Sequence, residues 1–228
     1  DAIAAEVQAA VERHLASGGE VPAPGEVFEI VQRRGPQEST IEIVNDWLEV
    51  RDGVVQPIDL DAFLAFVAAT STLKDVPAFD RTANTGNEGV SGENTLFGTP
   101  DQAYSNFSAH GWDHNEVSGD GSGVDDTGQD WATWIAGDGA ELGAQVRMIN
   151  PLTYLGTGAA AAPYWYVRHG MIDRDTSFAV EIALARAIAG DPDVREVSFA
   201  LPWLTPHSGN YDVQEAYGWL ARVLAVAG

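Results

Sequence analysis

Two short runs of aromatic and β-branched residues in the last third of the chain restrict its fold more than any other feature. The first run is Tyr164–Arg168 and the second is Val194–Leu201, and each is followed by a polar turn and a segment with helical periodicity. Strands that alternate with helices predict a parallel sheet with crossover connections. Two strands are too few for a stable sheet of this kind. We therefore predict an α/β fold whose sheet is completed by another chain.

The helices after these strands are predicted at Asp175–Ala189 and Asp212–Ala227. In the second helix, Tyr217, Leu220 and Leu224 recur at helical spacing. Residues with this spacing share one face of a helix, so we expect them to point toward the core.

The first 75 residues have a different pattern, which predicts a small helical region. Residues 1–17 carry apolar side chains at every fourth position, and Asp59–Ser71 begins with a residue type that commonly caps helices. Ser39–Leu48 fits either a helix or a strand, and its Ser-Thr start with Glu42 favours a helix. Residues 75–145 are rich in glycine and asparagine, which predicts long loops.

The composition of the chain excludes several classes of partner. A formal net charge of −22 over 228 residues would repel nucleic acid and anionic membranes, so neither is expected as a partner. The apolar content of 45% is enough for a sizeable core, and no run approaches the roughly 20 apolar residues of a membrane span. The sequence contains no cysteine, which excludes disulfide bonds and thiolate metal sites.

The strongest candidate for chemistry is a carboxylate after the first strand and a histidine after the second. Asp173 follows His169-Gly170, and His207 lies in Pro206-His207-Ser208-Gly209. An aspartate followed later in the chain by a histidine is the order in which α/β-hydrolases carry two members of a Ser-Asp-His triad. The aspartate there orients the imidazole, and the histidine takes the proton of the nucleophile. The alternative is a turn carboxylate and an unrelated loop histidine.

The nucleophile of such a triad is missing from these residues. No serine lies in a Gly-x-Ser-x-Gly motif, and the nearest match, Gly89-Val90-Ser91-Gly92-Glu93, has glutamate in place of the last glycine. We therefore expect the serine on a companion chain.

Three further residues are candidates for substrate binding. Asp175 either caps the helix that follows it or faces the same pocket as Asp173 and accepts hydrogen bonds from a polar substrate. Lys74 is the only lysine among the 12 lysine and arginine residues, so it either serves where a compact ammonium group is needed or is an incidental surface residue. Glu93 lies in a loop that is longer than a plain connection requires. It is either a binding residue or a solvated acid.

Two segments resemble metal sites only superficially. His110, Asp113 and His114 form a cluster that occurs more often on a loop without a metal than with one. Residues 120–130 are acidic but miss the calcium-loop pattern, because Val124 occupies a ligand position and no glutamate closes the loop. No metal or organic cofactor is expected. The remaining histidines, His14 and His169, are predicted to be structural.

Five blocks of the sequence resemble the carboxy-terminal part of bacterial tannases and their feruloyl-esterase-like relatives. The blocks are Pro77–Asp80, Ser91–Gly98, Met148–Pro151, Tyr166–Ser177 and Ala200–Asp212. The most specific of them are Arg-His-Gly-x-x-Asp-Arg-Asp-Thr-Ser and Pro-His-Ser-Gly. The resemblance implies an α/β-hydrolase fold with a large, mainly helical lid inserted in its second half.

The resemblance also implies a division of the chain and roles for its residues. Residues 1–145 would form a helical and loop-rich lid region, and residues 146–228 the C-terminal α/β-hydrolase segment. Asp173 and His207 match the acid and base of the triad, and Asp175 matches an acid that helps to hold the hydroxyl groups of a galloyl ring. Lys74 and Glu93 stand in the contexts of a lid lysine and a lid glutamate with the same task. The sequence departs from the family pattern at residues 113–143 and 85–89, which are longer than usual.

Residues and resemblance together predict a serine-dependent carboxylic ester hydrolase that acts on aromatic-acid esters, of tannase or feruloyl-esterase type. This chain would supply the aspartate, the histidine and an acyl-binding lid, while a companion chain would supply the serine. The alternatives are a serine-less binding or regulatory chain and a serine peptidase of the prolyl-oligopeptidase type. The resemblance and the initial Asp1 in place of methionine lead us to expect a secreted or extracellular protein.

Overall fold

A computed structural model describes residues 2–34, 37–72, 79–80, 91–100, 104–113, 128–207 and 212–227. The chain separates into two compact units, of which unit 1 is Asp1–Leu73 with Gly158–Gly228 and unit 2 is Lys74–Thr157. These units do not coincide with the predicted segments 1–145 and 146–228, because the N-terminal residues share a core with the C-terminal segment.

The described residues form both helices and strands, and the candidate site follows the two parallel strands in the last third of the chain. The elements are α1 (Ala2–Ala16), β1 (Val27–Arg34), β2 (Gln37–Val44), β3 (Val50–Arg51), β4 (Val54–Val55), α2 (Leu60–Thr70), α3 (Ala109–Asp113), α4 (Trp131–Ala136), α5 (Ala140–Ile149), β5 (Tyr164–Arg168), α6 (Phe178–Gly190), β6 (Glu196–Ala200) and α7 (Val213–Ala227). No helix in the described part of the chain is long and apolar enough to cross a membrane.

The two helices predicted in the N-terminal region are confirmed as α1 and α2. Asp59 caps α2, because its Oδ1 atom accepts hydrogen bonds from the backbone amides of Asp61 at 3.0 Å and Ala62 at 3.2 Å. These amides belong to the first turn, where a helix provides no acceptor of its own.

The helix favoured for Ser39–Leu48 is wrong, because residues 37–44 form β2. This strand pairs antiparallel with β1, and Ile41 and Ile43 stand opposite Ile30 and Phe28. Along β2 these two isoleucines are half-buried while the residue between them, Glu42, is exposed. The alternation has the period of a strand, and cross-strand packing outweighs the weak helix signal at its start.

The two strands of the C-terminal segment pair in parallel, as predicted. The register runs from Tyr164 opposite Glu196 to Arg168 opposite Ala200. Helix α6 connects them and begins at Phe178, after the N-cap residue Ser177. Within the described residues this sheet has two strands.

The face of α7 that was expected to point inward is exposed, so this prediction is wrong. Tyr217, Leu220 and Leu224 have exposed fractions of 66%, 42% and 63%. The helix contacts the sheet through a different face, where Trp219 Nε1 donates to Glu196 at 2.8 Å and Val223 is buried. Helix α7 carries apolar residues on two faces, and periodicity alone does not distinguish them.

The core of unit 1 joins the N-terminal elements to the segments that flank the candidate site. Phe28, Trp47, Phe63 and Phe66 form a cluster of rings at its centre. The same core contains four buried residues from the C-terminal segment, which are Met171, Ile172, Phe178 and Leu201. Packing against α1, α2 and the β1–β2 hairpin therefore supports the turns that follow β5 and β6.

Unit 2 is organised around the buried carboxylate of Asp80. Its Oδ1 atom accepts from Asn94 Nδ2 at 2.7 Å and Asn106 Nδ2 at 2.9 Å, and its Oδ2 atom accepts from the amide of Ser108 at 2.8 Å. A Cβ atom at Gly111 would lie 2.1 Å from Asp80 Oδ2, so only glycine fits there. The hydrophobic core of unit 2 contains Phe97, Trp112, Trp134 and Leu142.

Candidate active site

Asp173 and His207 meet at the carboxyl ends of β5 and β6. The imidazole Nδ1 of His207 donates a hydrogen bond to Oδ2 of Asp173 at 3.0 Å. Asp173 lies in the turn after β5, and His207 lies in the loop after β6. The two strands are parallel, so their carboxyl ends are adjacent and their following loops share one edge of the sheet.

The carboxylate of Asp173 is buried and held in one orientation. Only 6% of the residue is exposed. Its Oδ1 atom accepts hydrogen bonds from the backbone amides of Asp175 at 2.7 Å and Thr176 at 3.3 Å, which form the turn that leads into α6. Because the backbone occupies Oδ1, Oδ2 is available for the imidazole of His207.

The contact with Asp173 determines the tautomer of His207. A carboxylate can only accept, so Nδ1 carries the hydrogen and Nε2 carries the lone pair of the neutral ring. The side chain of His207 is 46% exposed. Its Nε2 atom is therefore chemically suited to take a proton from another group.

Gly170 allows the loop that carries His207 to approach the turn that carries Asp173. The amide of Ile172 donates to the carbonyl oxygen of Thr205 at 3.0 Å, which fastens the loop to the turn. A Cβ atom at position 170 would lie 2.4 Å from this same oxygen and 2.5 Å from the carbonyl oxygen of Pro206. Any side chain here would push the loop away from the turn.

The beginning of the same loop is packed against α1. The ring of His14 stacks on Trp203 with a centroid distance of 4.5 Å, and His14 Nε2 lies 3.0 Å from the carbonyl oxygen of Glu20. The next residue, Leu204, has a φ angle of 47°, a conformation that costs a residue with a side chain about 1 kcal/mol. Leu204 packs against the core of unit 1, which offsets this cost.

His169 has the environment of the structural histidine that the sequence predicts. It is 3% exposed, its Nε2 atom donates to the carbonyl oxygen of Thr176 at 3.1 Å, and its ring lies 4.8 Å from that of Phe178. These contacts hold the start of α6 against the end of β5.

Asp175 lies beside the pair and does not cap the following helix. The N-cap position of α6 belongs to Ser177. The side chain of Asp175 is 12% exposed, and its Oδ2 atom lies 3.8 Å from His207 Nδ1. The position argues against the capping interpretation, and the role of Asp175 in substrate binding stays a prediction.

The same three side chains have the chemistry of metal ligands. One nitrogen of His207 and one carboxylate oxygen each of Asp173 and Asp175 lie within 4.8 Å of one another. Divalent cations take ligands of these types. The hydrogen bond between His207 and Asp173 already occupies the imidazole Nδ1 atom.

The other predicted binding residues lie in unit 2 or outside the described residues. Glu93 is the first residue of a short 3-10 helix, Glu93–Leu96, and is exposed. His110 and Asp113 are exposed in α3. Lys74 and His114 lie outside the described residues. The roles of Lys74 and Glu93 in substrate binding stay predictions.

Arg168, Gly170 and Asp80 had no predicted role, although all three lie in the blocks of sequence that resemble tannases. A glycine directly after a strand is a signal for a close backbone approach, which Gly170 makes. An arginine at the end of an aromatic strand is a signal for a buried charge with fixed partners, which Arg168 has.

An aspartate that orients a histidine at the carboxyl ends of parallel strands is the arrangement of the acid–base pair in α/β-hydrolases. Three solved structures are similar to this chain. A tannase from Lactobacillus plantarum matches 97% of this chain with a TM-score of 0.67 and 26% sequence identity. A tannin acyl hydrolase in complex with ethyl gallate also matches 97% of the chain, with a TM-score of 0.66 and 27% identity. A tannase from Fusobacterium nucleatum matches 97% of the chain with a TM-score of 0.64, and at 22% identity this match concerns the fold alone.

The resemblance to bacterial tannases is thus confirmed. The mixture of helices and small sheets corresponds to one part of a tannase, since the chain spans 37% of the length of the first two structures. No protein-family model matches the chain, and no curated protein matches it.

Proposed function

We propose that this chain supplies the acid–base pair of a serine-dependent carboxylic ester hydrolase that acts on esters of aromatic acids. The observation that carries the proposal is the 3.0 Å contact between His207 Nδ1 and Asp173 Oδ2 at the ends of parallel strands. Similarity to a tannin acyl hydrolase solved with ethyl gallate supports an aromatic ester as the substrate class.

In the proposed reaction, a serine on a companion chain attacks the carbonyl carbon of the ester. Nε2 of His207 takes the serine proton and then gives it to the leaving alcohol, while Asp173 stabilises the imidazolium. Backbone amides of the companion would bind the oxyanion, each contributing about 3 kcal/mol of transition-state stabilisation. Water then attacks the acyl-enzyme with His207 again as the base, which releases the aromatic acid and restores the serine.

We further propose that Asp175 contacts the acyl part of the substrate. Its Oδ2 atom lies 3.8 Å from Nδ1 of His207 and its side chain is 12% exposed, so it lies beside the acid–base pair and can accept hydrogen bonds from ring hydroxyl groups. Lys74 and Glu93 remain proposed substrate-binding residues. An acceptor such as Asp175 discriminates against a ring that lacks hydroxyl groups, because the carboxylate would then lose its hydrogen-bond partner in the complex.

Completion of the sheet by the companion chain belongs to the same proposal. Two parallel strands with an exposed apolar helix face are unusual for an isolated domain. The exposed face consists of Val213, Tyr217, Leu220 and Leu224, which we call the apolar stripe of α7. We propose that the serine-bearing chain pairs with the β5–β6 sheet and covers this stripe.

Labelling with a fluorophosphonate followed by denaturing mass spectrometry tests the two-chain arrangement. We expect the label on a serine of a second, co-purifying chain, in a Gly-x-Ser-x-Gly motif, and none on the chain of 24.3 kDa. The His207→Gln variant should abolish labelling. A labelled serine in a longer form of this same polypeptide would show that no companion chain is needed. The absence of any labelled serine would favour the alternative of a serine-less binding chain.

Asp175→Asn is the matched test of substrate class. We expect this variant to keep its fluorophosphonate labelling, because Asp173 and His207 are intact. Its kcat/KM should fall for a trihydroxybenzoate ester and change little for an unsubstituted benzoate ester. An equal loss on both esters would assign Asp175 to the acid–base pair instead. Hydrolysis of peptide amides at the rate of esters would favour the peptidase alternative.

An extracellular location completes the proposal and follows from the resemblance to tannases. Fractionation of the source cells, with this chain detected in the medium, is the expected result.

A further inference from the structure

The ring of His169 joins the end of β5 to the turn that leads into α6. The backbone amide of His169 donates to the carbonyl oxygen of Ala200 at 3.2 Å, so this residue is fastened to the end of β6. Its side chain reaches across the turn, where Nε2 donates to the carbonyl oxygen of Thr176 at 3.1 Å. A carbonyl oxygen can only accept, so Nε2 carries a hydrogen. His169 therefore closes the segment of residues 169–176, which contains Asp173.

The burial of His169 makes its contact with Thr176 difficult to replace. Only 3% of His169 is exposed, and its ring lies 4.8 Å from the ring of Phe178. The other ring nitrogen, Nδ1, is buried without a hydrogen-bond partner among the described residues. A buried N–H group that loses its acceptor is costly, because water cannot reach it. The carbonyl group of Thr176 is therefore held in one place by Nε2 of His169.

The segment that His169 closes also supplies the backbone donors of Asp173. Oδ1 of Asp173 accepts from the amides of Asp175 at 2.7 Å and Thr176 at 3.3 Å. Thr176 thus binds Asp173 through its amide and His169 through its carbonyl group. Nε2 of His169 lies 3.9 Å from Oδ2 of Asp173, which is too far for a hydrogen bond. The link between His169 and Asp173 therefore runs through the backbone of Thr176, and Oδ2 stays available for His207.

The orientation of Asp173 in turn determines where His207 is held. Oδ2 of Asp173 accepts from Nδ1 of His207 at 3.0 Å, and the side chain of His207 is 46% exposed, so packing restrains it little. We infer that His169 is a positioning residue, which holds Asp173 in the orientation that binds His207. This role rests on the proposed function, in which Asp173 and His207 are the acid–base pair, but the hydrogen bond between them can be measured without any catalytic activity.

Asparagine and glutamine at position 169 provide a matched test. Both remove the ring and its contact with Phe178. The amide nitrogen of glutamine lies about as far from the backbone as Nε2 of histidine, whereas that of asparagine lies nearer, so only His169→Gln can keep a donor at Thr176. The readout is the 15N-coupled Nδ1–H signal of His207 in the folded chain at low temperature. We expect this signal to be lost in His169→Asn and retained in His169→Gln.

A purely structural role of His169 predicts a different result. A full His207 signal in the folded His169→Asn variant, or equal loss of the signal in both variants, would overturn the inference. Ala185→Gly is the control, because Ala185 is buried in α6 and lies outside the turn. Glycine destabilises the interior of a helix, so this variant should unfold at a lower urea concentration and keep the full His207 signal. Loss of the signal in Ala185→Gly would show that the signal follows overall stability, which would also overturn the inference.

The parent protein keeps the test valid if His169→Asn does not fold. The 15N spectrum of a neutral imidazole distinguishes its two tautomers. We expect the Nε2–H tautomer for His169 and the Nδ1–H tautomer for His207, because their acceptors are Thr176 and Asp173. The Nε2–H proton of His169 should also exchange slowly with water, since the ring is buried. An Nδ1–H tautomer of His169 would leave Thr176 without its donor and would contradict the positioning role.

In the complex with the serine-bearing chain, the same variants should separate rate from binding. A misplaced base slows the chemical step, so we expect kcat to fall roughly 10²-fold in His169→Asn with KM nearly unchanged. His169→Gln should recover most of this loss. A larger change in KM than in kcat would assign His169 to substrate binding and contradict the positioning role. If the complex has no esterase activity, the proposed function fails, while the 15N measurement still decides the role of His169.

Discussion

Gly170 shows how one residue without a side chain determines the geometry of the candidate site. It stands between the end of β5 and the buried residues Met171 and Ile172, and the loop that carries His207 lies directly against it. The carbonyl oxygens of Thr205 and Pro206 occupy the space of the absent Cβ atom. The distance between Asp173 and His207 therefore depends on this contact as well as on the two side chains.

Gly170→Ala should separate Asp173 from His207. The new methyl group would overlap two backbone oxygens, so we expect the free energy of unfolding to fall by about 1–3 kcal/mol. The His207 Nδ1–H signal should weaken with it. Urea unfolding and 15N spectroscopy measure the two effects.

Gly190→Ala is the control, because a Cβ atom at the end of α6 would meet nothing within 4 Å. This variant should be neutral, or more stable by up to about 1 kcal/mol. Equal behaviour of the two alanine variants would contradict the steric argument.

The meeting of Asp173 and His207 could be predicted from the sequence, whereas their supporting residues could not. Each of the two follows a run that is recognisable as a strand, and parallel strands bring such positions together. The role of Gly170 depends on its distance from Thr205, which only the folded loop defines. The partners of Asp80 come from residues 94, 106 and 108, a spacing that matches no local pattern.

At the scale of helices and strands, α2 and α6 begin in different ways. Asp59 accepts two amide hydrogen bonds at the start of α2, whereas Ser177 makes no side-chain hydrogen bond at the start of α6. The preceding Asp173 binds the amides of Asp175 and Thr176 instead. The candidate catalytic carboxylate thus also stabilises the approach to a helix.

Alanine variants at the two N-cap positions should differ in stability. Asp59→Ala removes two hydrogen bonds and should lower the free energy of unfolding by about 1 kcal/mol. Ser177→Ala removes none and should change it by less than about 0.5 kcal/mol. Thermal and urea unfolding of both variants check the difference, and a cost at Ser177 as large as that at Asp59 would show that the side chain caps α6 after all.

The ion pair between β6 and α7 should make stability depend on pH under acidic conditions. Hydrogen bonds from Arg222, and then from Trp219, lower the pKa of Glu196 from 4.5 to about 2. The folded-state pKa lies below the unfolded value, so the stabilisation is present above pH 4.5 and is lost as the pH falls toward 2.

Glu196→Gln should therefore flatten the dependence of unfolding free energy on pH between pH 4.5 and 2. Arg222→Met should produce the same change, because it removes the first cause of the lowered pKa. Urea unfolding at a series of pH values measures both. An unchanged slope in either variant would contradict the assignment.

Helices and strands were predicted correctly where one apolar periodicity dominated, and incorrectly where two periodicities or two apolar faces competed. Helices α1, α2 and α6 have one apolar face each and lie near their predicted positions. Residues 37–44 combine a helix-like start with alternating isoleucines, and pairing with β1 decides in favour of a strand. In α7 two apolar faces compete, and the contacts of Trp219 and Val223 decide which one meets the sheet.

At the scale of the whole molecule, the apolar stripe of α7 should control association and leave the isolated fold unchanged. Leu220→Lys places a charge on a side chain that is already 42% exposed, so its unfolding free energy should change by less than about 0.5 kcal/mol. Binding to the serine-bearing chain should weaken strongly, as sedimentation of the mixed chains would show. Val31→Lys on β1, at a position 53% exposed, is the control and should bind normally. Equal binding of both variants to the serine-bearing chain would contradict a place for the apolar stripe of α7 in the interface.

The composition of unit 1 from two separated segments has a consequence for the order of folding during synthesis. Its first segment ends at Leu73, and its second begins only at Gly158, after all of unit 2 has been made. The core of unit 1 can therefore form only after the second segment has been synthesised, because Phe28, Phe63 and Phe66 pack in it with Met171, Phe178 and Leu201. Unit 2 is continuous and can fold during that interval. The candidate acid–base pair is consequently among the last features of the chain to form.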